Sequence, residues 1–286
     1  MIIDARNAVY RAVYAGLADE RFMESGDDFS VIFFRFVTKY LNQFKPQSVH
    51  FFWDCPKETV WRKKIYPEYK DGRDVGQGGR FDYKIVGEAV SRCCDVAKRM
   101  IPFLNSRNYY RARQEADDLI YAFCRQCSQP AMIVSSDSDF RQIPFRHRNI
   151  SLFNPLGKAN QVNICHHGDE DIDPTELKSY MGEKSDNIDG YFRIGPVNAR
   201  KLALDFEKRR EFFETYGSET YLRNKALIDL SVCPYILANM AYVNRVLAEE
   251  VSFNEKAIRE TIIKYKVKGL QGEFTRSLLP FKFLGK

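Results

Sequence analysis

Residues 131–140 read Ala131-Met132-Ile133-Val134-Ser135-Ser136-Asp137-Ser138-Asp139-Phe140. A short apolar run ends in two serines and then in carboxylates. A run this short, bounded by turn formers, predicts a buried strand over Met132–Val134. The pattern recurs: Met1–Ile3 runs into Asp4, and Val49–Trp53 runs into Asp54. Ile150–Phe153 is a fourth apolar run. Helical periodicity fills the intervals. Val31, Phe34, Val37, Tyr40, Leu41 and Phe44 make one apolar face over Phe29–Phe44, and Leu119, Ile120 and Phe123 make one over Glu115–Cys127. Short strands alternating with helices predict an α/β fold with a mostly parallel sheet.

The chain has 286 residues, 44 Lys and Arg against 38 Asp and Glu, a net charge of +6 and 44% hydrophobic residues. That length holds one large domain, or a main domain with a smaller lobe. No apolar run approaches the roughly 18 residues of a membrane span. Met1-Ile2-Ile3 meets Asp4 without a basic stretch, which argues against a secretory signal. Seven cysteines, an odd number, fit a reducing compartment, so a cytoplasmic location is expected. Cys124 and Cys127 form a CxxC inside a predicted helix with no second pair, which reads as packing. Secreted, membrane and fibrous classes are excluded.

The texture changes after Cys165. Asp173-Pro174-Thr175-Glu176 reads as a helix start, with Asp as N-cap and Pro at the first helical position. A turn-rich stretch over 182–195 leads to a helix near Pro196 carrying Ala199, Leu202, Leu204 and Phe206. A boundary is placed near residue 165, giving a domain over 1–165 and a helical lobe over 166–286.

Three predicted strands thus end in an aspartate: Asp4, Asp54 and Asp137. Sites in open α/β sheets form outside the carboxyl ends of strands. Asp139 lies two residues beyond Asp137. Glu115 and Asp118 share a helix face, and the direction of Asp117 depends on where that helix begins. Glu183 and Asp186 sit in the turn before the later helix. So many acids in one cleft repel unless cations neutralise them. Oxygen ligands suit Mg²⁺ or Mn²⁺, and two such ions about 4 Å apart can clamp both oxygens of a phosphoryl displacement. Taken singly, each Asp reads as a cap or a turn former; the repetition at strand ends favours a site.

At these residues the sequence resembles the flap endonuclease / 5′→3′ exonuclease family, most closely its bacteriophage members of the ribonuclease H type. The resemblance rests on Ile3-Asp4-Ala5-Arg6-Asn7, Phe52-Trp53-Asp54 and Tyr66-Pro67-Glu68-Tyr69-Lys70-Asp71-Gly72-Arg73. It continues through Glu115-Ala116-Asp117-Asp118, Ser135-Ser136-Asp137-Ser138-Asp139-Phe140 and Gly182–Gly190 running into Ile194-Gly195. These blocks occur in family order from residue 3 to about 200. The resemblance implies a PIN-like sheet flanked by helices, a helical arch at about 71–104, and a C-terminal helix-hairpin-helix lobe that grips duplex DNA. It implies a first metal group of Asp4, Asp54, Glu115, Asp117 and Asp118, and a second of Asp137, Asp139, Glu183 and Asp186. It implies Lys70 and Arg73 as catalytic cations, two Mg²⁺ or Mn²⁺ ions, and K⁺ at the hairpin turn. Two departures stand out. Glu183 occupies a position where family members usually carry Asp. The hairpin, usually Gly-Ile-Gly with a Lys soon after, reads Arg193-Ile194-Gly195-Pro196-Val197, with Arg200 and Lys201 one turn on.

Residues 57–113 hold 14 Lys and Arg against seven acids, a net +7 where the whole chain has +6. Trp61, Tyr66, Tyr69, Phe81 and Tyr83 interleave. Cations for phosphates and rings for bases are how unpaired strands are held. Arg62, Lys63, Lys64, Arg80 and Lys84, with Tyr69 stacking on a base, are therefore expected to contact DNA, as are Gly195, Arg200 and Lys201 in the lobe. The expected activity is divalent-metal-dependent 5′ nuclease action on DNA flaps, 5′ ends and RNA/DNA primer hybrids in phage-type replication. The chain is expected to be a monomer, with a single-strand DNA-binding protein as partner. The alternative is a catalytically weakened DNA-binding replication factor of the same fold. A dehalogenase-like phosphatase fits poorly, because its Asp pair would follow the first strand.

Overall fold

The computed structural model describes residues 1–72, 81–157 and 163–285. The chain divides into two compact units, and neither is continuous in sequence. The first is formed by described residues within 1–53, 81–110 and 242–285, the second by those within 54–72 and 111–241. The boundary expected near residue 165 falls inside the second unit. The C-terminal residues group with the N-terminal strand, so 166–286 is not one lobe.

In the first unit, β1 (Ile2–Asp4), β2 (His50–Phe52) and β3 (Arg107–Tyr109) run parallel, with Ile2 opposite His50 and Phe52 opposite Tyr109. β1 and β2 are buried throughout, Asp4 and His50 included, as strands covered on both faces should be. β3 is too polar to show as an apolar run; its Arg107 instead donates to the carbonyls of Val246 and Glu249. Asp4 ends β1 and caps helix Ala5–Leu17, its carboxylate accepting from the Asn7 backbone at 3.2 Å. Helix Ser30–Phe44 buries Val31, Phe34, Val37, Tyr40 and Leu41 as its periodicity requires.

Part of the expected arch is packed core. Tyr83–Met100 is a helix lying on Ala5–Leu17 and Ser30–Phe44. Val86, Val90, Cys93, Ala97 and Met100 recur at helical spacing and are buried. A stripe of that kind is buried for its apolar area, about 25 cal/mol per Å². The C-terminal residues close the same unit: Arg35 forks onto Glu273, and Thr38 donates to the Ser277 carbonyl.

In the second unit, β4 (Ala131–Val134) pairs in parallel with β5 (Ile150–Phe153), and β6 (Ile164–Cys165) runs antiparallel to β5. Mostly parallel strands flanked by helices are the fold class expected. Helix Pro174–Met181 starts as predicted, with the Asp173 carboxylate accepting from the Thr175 backbone. It leads into a two-stranded hairpin, β7 (Gly182–Glu183) and β8 (Ile188–Asp189). Helices Pro196–Leu204, Phe206–Tyr216 and Glu219–Ile228 follow. Tyr180 centres an aromatic core with Tyr191, Phe212, Phe213 and Tyr221, its ring 4.8 Å from that of Tyr221. Leu204 and Phe206, expected on an apolar face, are exposed at the break between two helices. No helix among the described residues is long and apolar enough to cross a membrane.

Candidate metal and DNA site

Helix Ala116–Gln126 begins one residue after Glu115, and this start decides where four acids go. Asp54 accepts from the Ala116 backbone at 2.8 Å, capping the helix from outside. Glu115 and Asp118 form a reciprocal capping box and both turn to Arg62. Asp117 takes no part in that pairing.

Arg62 was expected on DNA. It is instead 2% exposed, because its guanidinium neutralises buried acids. Nη1 donates to Glu115 at 2.8 Å, Nη2 to Asp118 at 2.9 Å and Nε to the Leu227 carbonyl at 2.8 Å. Trp61 donates to the same Asp118 at 2.9 Å. Asp118, expected as a metal ligand, is fully buried and consumed by these bonds. Tyr69, expected to stack on a base, is also buried. Its ring packs with Cys55, Val60, Ile188, Leu227 and Ile228, and its hydroxyl donates to Glu115 at 3.1 Å. An interleaved aromatic–basic segment reads as a surface, but here Trp61 and Tyr69 are core and one cation is an internal counterion, while Tyr83 stays exposed.

Lys70 lies between the two acid groups. Its ammonium donates to Glu115 and sits 3.7 Å from Asp186. Its backbone occupies the left-handed region at φ 59°, held by a 2.8 Å bond to the Asp186 carbonyl. Strain of this kind costs on the order of 1–3 kcal/mol and persists only where surrounding structure fixes it. Burial by itself would raise the Glu115 carboxyl, but Lys70 and Arg62 bring it below its ordinary value.

Asp117 is left uncompensated. No hydrogen bond or ion pair to its carboxylate forms among the described residues. Burial first, then the charge of Asp137, pushes it well above the ordinary value, with Lys70 opposing and Glu115 and Asp54 adding. Asp137 is raised likewise by burial and then by Asp139, although it accepts from the Asp139 backbone at 2.9 Å. The second group has a resident cation that sequence reading did not anticipate. Lys178 donates to Asp139 and, at 2.5 Å, to Glu183. A lysine near a helix C-terminus reads as an ordinary dipole partner, so no sequence signal marked it. Burial and Asp139 raise Glu183 while Lys178 opposes.

These donors are all oxygen, the chemistry that suits Mg²⁺ or Mn²⁺. As they stand, no group of three or more His, Cys, Asp or Glu among the described residues is set to hold a metal. Arg62, Lys70 and Lys178 draw several of these carboxylates to themselves. The fit is therefore uneven: Asp117 forms no ion pair among the described residues, whereas Asp139 and Glu183 share the Lys178 ammonium. Asp4 belongs to the other unit, at the end of its own strand, 7% exposed.

The remaining expected DNA contacts are scattered. Lys64, Lys84 and Lys201 are exposed. Lys63 is held by Asp71 at 2.5 Å. Arg200 forks onto Asp171. Gly195 is the N-cap of Pro196–Leu204. Arg73 and Arg80 lie outside the described residues. One candidate was missed: Phe192, 84% exposed on the turn before Gly195, with the Arg193 guanidinium 4.9 Å from its ring. A lone Phe in a turn has no periodicity to mark it.

Residues 1–181 match the family model described as the 5′–3′ exonuclease N-terminal resolvase-like domain. The chain is similar to the flap endonuclease Xni of Shewanella sp. (strain MR-4), 29% identical over 251 residues, covering 84% of this chain and 89% of that protein. It is 30% identical to the flap endonuclease Xni of Shewanella oneidensis over 223 residues, 75% of this chain and 78% of that one. These relatives are bacterial, not phage proteins. Among solved structures, the fold resembles the bacteriophage T5 D15 flap endonuclease in a pseudo-enzyme-product complex with DNA and metal ions. There the TM-score is 0.63 at 18% identity, over 93% of this chain and 98% of that one. T5 D15 protein co-crystallised with metal ions gives 0.62 at 18% identity, over 94% and 98%.

Proposed function

This chain belongs to the 5′–3′ exonuclease and flap endonuclease family, and from that premise we propose a divalent-metal-dependent nuclease that hydrolyses phosphodiesters at DNA 5′ flaps and 5′ ends. RNA/DNA hybrids fall within the same substrate class. The observation that carries the metal reading is Asp117, a half-buried carboxylate at a helix start, set among like charges and forming no ion pair among the described residues. Asp54, Asp117 and Asp137 would hold the ion. A divalent ion in such a setting polarises the scissile phosphate and stabilises charge on its oxygens.

The chain's own residues supply the rest. Arg62 fixes Glu115 and Asp118 at the helix start and leaves Asp117 outside that pairing. Lys70 carries an ammonium that can pass from Glu115 to a phosphate oxygen as negative charge develops there. Phe192 and Arg193 offer the duplex an apolar ring and a cation from a turn anchored on the Tyr180 core. Tyr191 secures that turn, its backbone donating to Tyr180 and its hydroxyl to Gly217.

The test is a Mg²⁺ titration of cleavage on labelled 5′-flap, nicked and RNA/DNA hybrid substrates, with Lys70→Ala beside the wild type. Lys70→Ala should lower turnover about 100-fold or more while changing duplex affinity by less than about threefold. Binding without Mg²⁺-dependent cleavage on any substrate would support the alternative, a DNA-binding replication factor. Cleavage by Lys70→Ala at the wild-type rate would remove Lys70 from the mechanism.

A further inference from the structure

Lys178 stands in the last turn of helix Pro174–Met181, whose start is anchored by the Arg146 guanidinium on Asp173 at 2.6 Å. Its side chain is 18% exposed, and the carboxylates it joins, Asp139 and Glu183, are 20% and 17% exposed. The ammonium donates to one oxygen of each, and the Ser138 hydroxyl lies 3.4 Å from the same nitrogen. An ammonium has three donors and no acceptor. Ser138, Asp139 and Glu183 therefore match its capacity. The other Glu183 oxygen accepts from Ser185, which is also within reach of Asp186. Two carboxylates that would otherwise repel are thus joined by a covalently tethered monocation. A divalent ion entering there must first displace Lys178, and the displaced ammonium must find other anions in a half-buried site.

We propose that Lys178 is the built-in cation of the Asp139–Glu183 pair, so that the DNA-free chain takes up one divalent ion instead of two. The proposal rests on the reading that Asp54, Asp117 and Asp137 hold an ion. It goes further by assigning the second group to a side chain. One consequence concerns DNA: a phosphate oxygen is an anion that can draw Lys178 off the pair. A second ion would then enter only with the substrate.

The test is Mn²⁺ binding to the full-length chain without DNA, measured by calorimetry and by the electron paramagnetic resonance signal of free Mn²⁺. The wild type should bind one ion. Lys178→Met keeps the length of the side chain and removes its charge, and should bind two. Lys178→Arg retains a cation and should stay at one, which separates charge from packing. Thermal melting of each variant identifies any that fails to fold, and Lys178→Gln then replaces Lys178→Met. Two ions on the wild type, or no gained ion in a folded neutral variant, would overturn the proposal. No binding by any form would sink the metal reading of the first group as well, a different result from one ion throughout.

Discussion

Asp118 is locked by Arg62 and Trp61, and Asp117 beside it has no such partner among the described residues. The two positions should respond oppositely to neutralisation. The folded-state pKa of Asp117 lies above its unfolded value, so its charge opposes folding once the pH passes the unfolded value of about 4. Asp117→Asn should abolish cleavage yet raise the melting temperature of the chelator-treated chain at pH 7 by about 2–4 °C. That gain should vanish below about pH 4, where both states are protonated; an equal gain at every pH would contradict the electrostatic account. Arg62→Met should act in the other direction. It leaves Glu115 and Asp118 buried without their counterion, at a cost of about 3–5 kcal/mol. Urea unfolding measures it, and a loss below about 1 kcal/mol would mean that water reaches the acids.

At the scale of elements, the β7–β8 hairpin connects chemistry to scaffold. It carries Glu183, and the turn between its strands carries Asp186. Asn187 donates to the Glu68 carbonyl and Lys70 to the Asp186 carbonyl, both at 2.8 Å, so the hairpin also fixes the Tyr66–Lys70 stretch. Gly182 makes this possible. Its φ is +72°, and a Cβ there would lie 2.2 Å from the Ile188 carbonyl oxygen. Gly182→Ala therefore forces the strands apart and should cost about 1–3 kcal/mol. Cleavage should fall with stability, as seen by pairing a flap-cleavage assay with a thermal melt; a wild-type melt and rate would show that the close approach is dispensable. The motif around Gly182–Gly190 was legible in sequence, whereas Lys178 was not. A motif reports residues that need fixed spacing, and Lys178 meets its acids only after the helix and the hairpin have folded back.

At the scale of the whole chain, the C-terminal residues complete the first unit. Arg35 binds Glu273, Arg92 donates to the Tyr265 carbonyl, and Asn254 bonds the Phe103 carbonyl. Truncation after residue 241 should therefore destabilise the N-terminal strands and helices instead of removing a peripheral lobe. Circular dichroism should show loss of the cooperative melt beyond the helix deleted; retention of that melt would restore the expected boundary near residue 165. The +7 of residues 57–113 is likewise redistributed by folding. Arg62 becomes an internal counterion and Lys63 is held by Asp71, so less of that charge is free for phosphates than the count implies. By itself the sequence determined the strand-end aspartates, the mostly parallel fold and the family. Apolar runs, caps and motifs are local patterns that survive without knowledge of distant partners. Only the tertiary structure decided which acids are free and which are already paired. Pairing depends on side chains from segments as far apart as Arg62 and Asp118, or Lys178 and Asp139. A charge taken from water is either paired by whatever counterion the fold brings, as at Asp118, or pushed toward its neutral form, as at Asp117.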